Sequence, residues 1–73
     1  MSDRMTEREK ELLEYIKTFQ LLEGYSPTIR EIARGLNTKS ISHVQAMIDH
    51  LQAEGVLKIK PKKVRTIRIL KDL

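Results

Sequence analysis

The stretch LNTKSISHVQAMI, residues 36–48, lies near the middle of this 73-residue chain. One third of the chain is charged, yet this stretch contains a single charged residue, Lys39. Its other polar residues are serine, threonine, asparagine, glutamine and histidine, which form hydrogen bonds without a permanent charge. Helix signals lie on both sides of it, so we interpret the stretch as a turn followed by the first part of a helix.

Asn37 and Ser40 delimit this turn. Asparagine tolerates a positive φ better than most non-glycine residues, and serine is a favoured N-cap. The following helix is predicted to run from about residue 40 to residue 54, where Gly55 ends it. At about 100° per residue, its apolar side consists of Ile41, Val44, Met47, Ile48 and Leu51. The opposite side presents Ser42, His43, Ala46, Asp49 and His50, with Gln45 at the margin.

Two capping boxes predict two earlier helices. In each, a threonine at the N-cap is followed three residues later by a glutamate, as in Thr6 with Glu9 and Thr28 with Glu31. The helices are predicted over about residues 6–23, ending at Gly24, and residues 28–35. Apolar residues recur in both at spacings of three and four. They are Leu12, Leu13, Ile16, Phe19 and Leu22 in the first helix, and Ile29, Ile32, Ala33 and Leu36 in the second.

After Gly55 the pattern changes to two short segments rich in β-branched residues. VLKIK (56–60) and VRTIRIL (64–70) are separated by PKK (61–63). This pattern predicts a β-hairpin over about residues 56–70, with Pro61 in its loop.

Together these elements predict a single, mainly α domain with a small β-hairpin, covering residues 1–73. The length is that of one small domain. A short helix, a tight turn and a second helix make the helix-turn-helix layout. A hairpin directly after them gives the winged helix-turn-helix, in which the later helix enters the major groove of DNA.

The positive charge lies in the predicted wing. The chain has a formal net charge of +4, but residues 1–52 carry −1 and residues 53–73 carry +5. Such a basic cluster indicates a surface for a polyanion, although a solvated, solubilising segment has the same composition. Its position beside the neutral start of the third helix favours the polyanion.

The neutral face of the third helix fits the edges of DNA bases. A helix in the major groove has phosphates on both sides, so carboxylates at its leading end are costly. Hydroxyls, amides, imidazole and alanine read base edges and the thymine methyl. Taken singly, each such residue is equally typical of ordinary surface, so the prediction depends on the set. Base contacts are predicted from Ser40, Ser42, His43, Gln45 and Ala46. Backbone contacts are predicted from Thr28, Lys39, Lys60, Lys62, Lys63 and Arg65.

Residues 24–70, GYSPTIREIARGLNTKSISHVQAMIDHLQAEGVLKIKPKKVRTIRIL, resemble the N-terminal DNA-binding domain of the LexA repressor family. The resemblance extends from Thr6 to Leu70. Its most specific parts are GYSPTIREIA, the helix-to-strand junction EGVLKI, and PKKVRTIRIL at the wing. The first of these follows the family pattern G-[YM]-x-P-[ST]-x-x-E-I.

The resemblance implies a bacterial, cytoplasmic winged helix-turn-helix that binds operator DNA and represses genes, typically of the DNA-damage (SOS) response. It also implies base contacts from the first turns of the third helix, which match the base-reading set above, and a basic wing residue at Arg65. Asn37 stands where the family usually has glycine, and the reading residues differ from those of well-known members, so the operator sequence does not carry over. The family continues into a serine–lysine self-cleaving domain that also supplies dimerisation, and none of these residues is assigned to it.

No catalytic, metal or cofactor site is expected. The chain has no cysteine, which excludes disulfides and thiolate metal sites. His43 and His50 lie two turns apart with no cysteine to complete a metal site. Asp49 and His50 are adjacent in the chain, so they do not share a helix face closely enough to act as a base and its orienting partner. The charged start MSDRMTEREK is unlike a signal peptide, and no apolar run reaches the roughly 18–20 residues that span a bilayer. We expect a cytoplasmic, non-enzymatic domain without a membrane partner.

Two other interpretations stay open. The winged helix could bind another protein, as an adaptor or antirepressor, and the acidic first helix is compatible with that role. It could also be the DNA-binding module of a mobile-element or replication protein. Because the chain has no sustained heptad and few apolar residues beyond its core, we expect a monomer in isolation. We expect two copies to pair either on DNA or through a domain absent from this chain.

Overall fold

Three helices and a two-stranded hairpin make up the computed structural model, which describes residues 6–60 and 65–70. The elements are α1 (Glu7–Glu23), α2 (Ile29–Gly35), α3 (Ile41–Ala53), β1 (Leu57–Lys58) and β2 (Arg68–Ile69). The two strands are antiparallel, with Leu57 opposite Ile69 and Lys58 opposite Arg68. The predicted fold class is therefore confirmed, and the wing strands are shorter than the predicted hairpin.

Side chains at the helix starts explain why each helix begins where it does. Both predicted capping boxes are formed, by Thr6 with Glu9 and by Thr28 with Glu31. At α3, the Ser40 hydroxyl accepts a hydrogen bond from the His43 N–H at 3.1 Å. The predicted helices began one residue early because the N-cap residue itself lies outside the helical conformation.

The turn between α2 and α3 depends on Asn37. Asn37 has a φ of 57°, the positive value predicted for it. The Thr38 N–H donates to the Ala33 carbonyl at 2.9 Å, and the Asn37 N–H donates to the Arg34 carbonyl at 3.1 Å. These two bonds form the Schellman arrangement that ends α2 and sends the chain sharply into α3.

The core lies where the three helices and the wing meet. Its buried apolar residues are Leu12, Leu13, Ile16, Ile32, Ala33, Leu36, Val44, Met47, Ile48, Leu51, Val56, Leu57 and Ile67. Two residues at the ends of the apolar stripes are exposed. Ile41 is 40% exposed because it is the first residue of α3, and Leu22 is 75% exposed because the last turns of α1 extend past the buried part of that helix. Phe19 is only partly buried.

Helix α2 packs closely on α1 at Gly35. A Cβ atom at this position would overlap the ring of Tyr15 on α1. The absence of a side chain therefore lets the Tyr15 ring lie directly against the end of α2, and the α2–α3 turn follows from there. Arg8 strengthens the same junction, since its Nη2 donates to the Leu36 carbonyl at 3.0 Å.

Within the part of the chain that the structure describes, no helix has the length and apolar character needed to cross a membrane.

Candidate nucleic-acid interface

The N-terminal half of α3 presents a neutral, exposed face. Val44, Met47, Ile48 and Leu51 point into the core and fix the rotation of the helix. The predicted reading residues are consequently all on the surface: Ser40, Ser42, His43, Gln45 and Ala46. The structure thus brings the whole predicted set together at one end of one helix.

Two of these side chains are already held within α3. The Ser40 hydroxyl is occupied as acceptor of the N-cap bond. The Gln45 amide donates from Nε2 to Oδ1 of Asp49 at 3.0 Å, one turn further along the same exposed face. Asp49 therefore orients the Gln45 amide and leaves its carbonyl oxygen as an acceptor for an outside donor.

The predicted backbone contacts in the helices lie on either side of this face. Lys39 is exposed in the turn directly before α3. Thr28 is half-buried, and its hydroxyl oxygen accepts the Glu31 N–H at 3.1 Å, so the side chain caps α2. Lys39 is thus a solvated cation at the leading end of α3, whereas Thr28 has a structural role of its own.

The predicted wing residues divide into described and undescribed ones. Lys60 is exposed, and its backbone is fixed because the Lys60 N–H donates to the Thr66 hydroxyl at 3.0 Å. Lys62 and Lys63 lie outside the described residues.

Arg65 does not project freely from the wing. Its guanidinium donates through Nη1 and Nη2 to the two carboxylate oxygens of Glu31, each at 3.0 Å. Nη1 also donates to the Ser26 carbonyl at 3.2 Å, and the guanidinium carbon lies 4.7 Å from the centre of the Tyr25 ring. The structure therefore places the Arg65 guanidinium against α2 and the preceding loop.

The Arg65–Glu31 pair changes the acidity of the carboxylate. Hydrogen bonds from the Arg65 guanidinium, and then the bond from the Thr28 N–H, lower the pKa of Glu31 below its ordinary value of 4.5. Glu31 is thereby held as a carboxylate, the form that completes both the α2 cap and the contact with the wing.

Two basic residues of the hairpin were not in the predicted set. Lys58 and Arg68 are exposed and stand directly opposite each other on β1 and β2. Both line a cavity of about 500 Å³ between the wing and the α1–α2 loop, with Lys60 and Arg65. The alternation of residues 56–60 could have placed Lys58 on the outward face, but the partner of each strand residue required the register.

The loop between α1 and α2 also anchors the wing. The buried Ser26 hydroxyl accepts the Ile67 N–H at 3.2 Å, and Gln20 Nε2 donates to the Ile67 carbonyl at 2.9 Å. Sequence reasoning missed this role of Ser26 and Gln20, because their partner is more than 40 positions away in the chain.

The two histidines are apart in the structure. His43 is on the exposed start of α3, while His50 contacts Glu9 and lies 3.9 Å from Glu54. Over residues 6–60 and 65–70, no three His, Cys, Asp or Glu side chains are grouped in a way that could hold a metal ion.

Comparison with known proteins gives a consistent result. Residues 2–66 match the family model described as the LexA DNA binding domain. The chain is 38% identical over 69 residues to the LexA repressor of Exiguobacterium sibiricum, covering 94% of this chain and 34% of that protein. It is 37% identical over 68 residues to the LexA repressor of Staphylococcus carnosus, covering 93% and 33%. For the LexA repressor of Caldicellulosiruptor saccharolyticus the identity is 35% over 72 residues, covering 99% and 36%. The chain thus spans about a third of the length of these curated relatives.

Proposed function

The chain belongs to the LexA DNA-binding domain family, and on that premise we propose that it binds operator sequences in duplex DNA as the reading domain of a transcriptional repressor. The observation that carries this proposal is the exposed, neutral face at the start of α3, which stands beside a cationic wing. Such a face can approach base edges in the major groove without repelling the flanking phosphates.

We assign base reading to Ser40, Ser42, His43, Gln45 and Ala46. The hydroxyl, imidazole and amide groups match the donors and acceptors of base edges, and the alanine methyl can contact a thymine methyl. Gln45 is the sharpest reader in this set because Asp49 already orients its amide, at 3.0 Å. The Ser40 hydroxyl already accepts the N-cap hydrogen bond, so it contacts a base through its remaining donor and acceptor capacity.

We assign phosphate contacts to Thr28, Lys39, Lys60, Lys62 and Lys63. Lys39 and Lys60 are exposed cations that precede and follow α3 in the chain, and the assignment of Lys62 and Lys63 rests on the sequence. Each lysine should weaken binding to all duplexes alike when replaced by alanine, and should lower the salt slope by about one. Arg65, predicted with this set, has a different role, argued below.

The proposed biological role is supported by the three relatives described above, each of which is named LexA repressor. We propose that the protein acts at the nucleoid and represses genes, with the DNA-damage (SOS) response as the regulated system. Nothing in this role requires a catalytic group in the domain, because repression needs only occupancy of the operator.

Assembly on DNA is the next step of the proposal. One short reading helix covers few base pairs, so we propose that the free domain is a monomer and that two copies bind an inverted repeat, with their α3 helices in successive major grooves. Sedimentation at micromolar concentration should give a monomer. Fusion of a dimerising module after Leu73 should tighten operator binding by at least about tenfold. A tight dimer of the free chain would contradict the first statement, and equal affinities of fused and unfused chains would contradict the second.

The proposal is tested by selecting bound duplexes from a random pool and then titrating the selected duplex at several salt concentrations. We expect a defined sequence motif and a binding constant that falls steeply with salt. The competing function is protein docking, which the exposed Leu21 and Leu22 on the last turns of α1 favour. A docking module would give no motif and no phosphate-type salt dependence.

A further inference from the structure

We propose that Arg65 is a positioning residue, which clamps the wing onto α2, and that it is not a ligand of a DNA phosphate. This proposal rests on the proposed function, since its consequence is the placement of the wing beside the recognition helix. It differs from the sequence-based expectation, in which Arg65 was one of the backbone-contacting cations.

The hydrogen bonds of the guanidinium carry the proposal. Arg65 meets Glu31 in the bidentate geometry that is the strongest pairing of arginine with a carboxylate, with both N···O distances at 3.0 Å. Nη1 is shared with the Ser26 carbonyl, and the Tyr25 ring covers the guanidinium at 4.7 Å. Three of the five guanidinium N–H groups thus already have acceptors inside the chain, and the Glu31 carboxylate offsets the positive charge that would attract a phosphate.

The backbone at Arg65 supports the same interpretation. Arg65 has a φ of 56°, in the left-handed region where glycine or asparagine is favoured. The left-handed backbone is unfavourable for arginine, so we attribute the presence of arginine at this position to the contacts of its side chain. The left-handed backbone turns that side chain back toward α2.

The contact between Arg65 and Glu31 joins the wing to the start of α2. Glu31 Oε1 accepts both the Thr28 N–H, at 2.9 Å, and Nη1 of Arg65, at 3.0 Å. The start of α2 and the wing therefore share one carboxylate oxygen. Since Ser26 also holds the Ile67 N–H, both ends of the segment 65–67 are fixed to the α1–α2 region. The wing is thus presented at a fixed position relative to the turn and α3.

The matched variants are Glu31→Gln and Arg65→Gln. Glutamine at position 31 preserves the capping box, because Gln serves as well as Glu at the third helical position, and it leaves the positive charge of Arg65 in place. If Arg65 is a clamp, both variants weaken binding to the selected duplex by similar factors, about threefold to tenfold, and the double variant is no worse than either. The salt slope of the two variants should change by the same amount, because both loosen the wing and neither removes a phosphate contact made by Arg65 itself.

Hydroxyl-radical footprinting separates this role from a general loss of stability. At a temperature where all variants are folded, the clamp variants should lose protection of the sugars beside the wing and keep protection where α3 binds. The proposal is overturned if Glu31→Gln binds as tightly as wild type or tighter while Arg65→Gln lowers the salt slope by about one. That outcome would make Arg65 a phosphate ligand. Absence of salt-dependent binding by the unmutated domain would instead refute the proposed function.

The register of the hairpin independently leads us to infer that Lys58 and Arg68 form a binding site for a backbone phosphate. The two residues are direct cross-strand partners and both are exposed. Like charges directly opposite each other destabilise a sheet. Among the residues that the structure describes, neither side chain makes a hydrogen bond or an ion pair that would offset this repulsion. An anion between them would do so.

The surroundings of the pair are suited to a phosphate. Lys58, Lys60 and Arg68 line the cavity of about 500 Å³ between the wing and the α1–α2 loop, and none of the lining residues within 6–60 and 65–70 is acidic. Gln20 and Thr66 add polar groups to the same wall. In a DNA-binding domain, the anion available in a continuous row is the duplex backbone, and we assign one of its phosphates to this site.

The test compares the double variant Lys58→Gln/Arg68→Gln with Lys17→Gln, which removes a charge from α1. The double variant should bind the selected duplex with a salt slope lower by about one, because one phosphate contact is lost, and random duplexes should lose affinity by the same factor. Its thermal midpoint should equal or exceed that of wild type, because a like-charge pair has been removed. Lys17→Gln should leave the slope unchanged. A double variant that folds and keeps the wild-type slope, while the wild type binds DNA, would overturn the inference.

Discussion

Nδ1 of His50 lies 2.7 Å from Oε2 of Glu9, and this contact joins the last turn of α3 to the first turn of α1. The Glu9 side chain is only 6% exposed, and its other oxygen accepts the Thr6 N–H at 3.1 Å. One buried carboxylate therefore both caps α1 and holds α3. No buried side-chain N or O atom in the described part of the chain is left without a hydrogen-bond partner. For Oε2 of Glu9, that partner is His50.

Replacing His50 with alanine should destabilise the domain. The change leaves Oε2 of the buried Glu9 without its partner, which costs roughly 1–3 kcal/mol. The effect should fall toward the lower end of this range because the His50 side chain is 43% exposed, so water can replace part of the contact. Urea denaturation measures it, with His43→Ala as the control, since His43 is exposed at the start of α3. Equal midpoints for the two variants would refute the structural role of His50.

Gly35→Ala should also destabilise the protein, although alanine normally stabilises a helix by roughly 0.5–1 kcal/mol relative to glycine. The new Cβ would overlap the Tyr15 ring, which must move away from α2. In a Tyr15→Ala background the same substitution should be neutral or stabilising, because the obstacle has been removed. Thermal unfolding of the four proteins gives the coupling between the two positions. A stabilising effect of Gly35→Ala in the wild-type background would show that the close approach is not limiting.

Ile48→Ala should leave the domain substantially unfolded at 37 °C. Ile48 is fully buried in the core, and such a truncation costs roughly 2–5 kcal/mol. A domain of this size has a total stability of only about 5 kcal/mol. Ile41→Ala is the matched control, because it removes the same groups from the same helix at a position that is 40% exposed. Circular dichroism against temperature should show a large fall for Ile48→Ala and a small one for Ile41→Ala. Similar falls would mean that the face of α3 that contains Ile48 is not the one that packs into the core.

The lowered pKa of Glu31 predicts how the clamp responds to acid. Its folded-state pKa lies below the ordinary value of 4.5, so the unfolded chain takes up the proton first as the pH falls. The stabilisation from ionised Glu31 is complete well above 4.5 and is lost as the pH falls through the lowered value. The thermal midpoint of the protein should therefore exceed that of Glu31→Gln at neutral pH, and the gap should close in acid. A gap that stays constant down to strongly acidic pH would contradict the clamp.

The features that the sequence predicted well are those determined by residues close together in the chain. Each capping box involves positions three apart, and the positive φ of Asn37 depends on the chemistry of one residue and its turn. Periodicity also showed which side of α3 is buried. It could not show how far along a helix the other elements reach, which is why the apolar stripes also include Ile41 and Leu22, which are exposed.

The contacts that sequence reasoning missed join residues far apart in the chain. Arg65 and Glu31 are 34 positions apart, and His50 and Glu9 are 41 apart. A charged residue in a basic segment looks the same in sequence whether it faces a phosphate or a carboxylate of its own chain. For Arg65 the folded geometry shows a contact with Glu31, and on that contact rests our proposal that this residue supports the wing.

We propose that α3 reads bases while the wing supplies affinity without base preference. Selection of duplexes from a random pool with the wild-type domain, Gln45→Ala and Lys60→Ala gives three motifs, and their comparison tests this division of roles. We expect Gln45→Ala to lose preference at one or two adjacent positions of the motif, and Lys60→Ala to recover the wild-type motif with lower affinity. An unchanged motif for Gln45→Ala together with an altered motif for Lys60→Ala would contradict the claim.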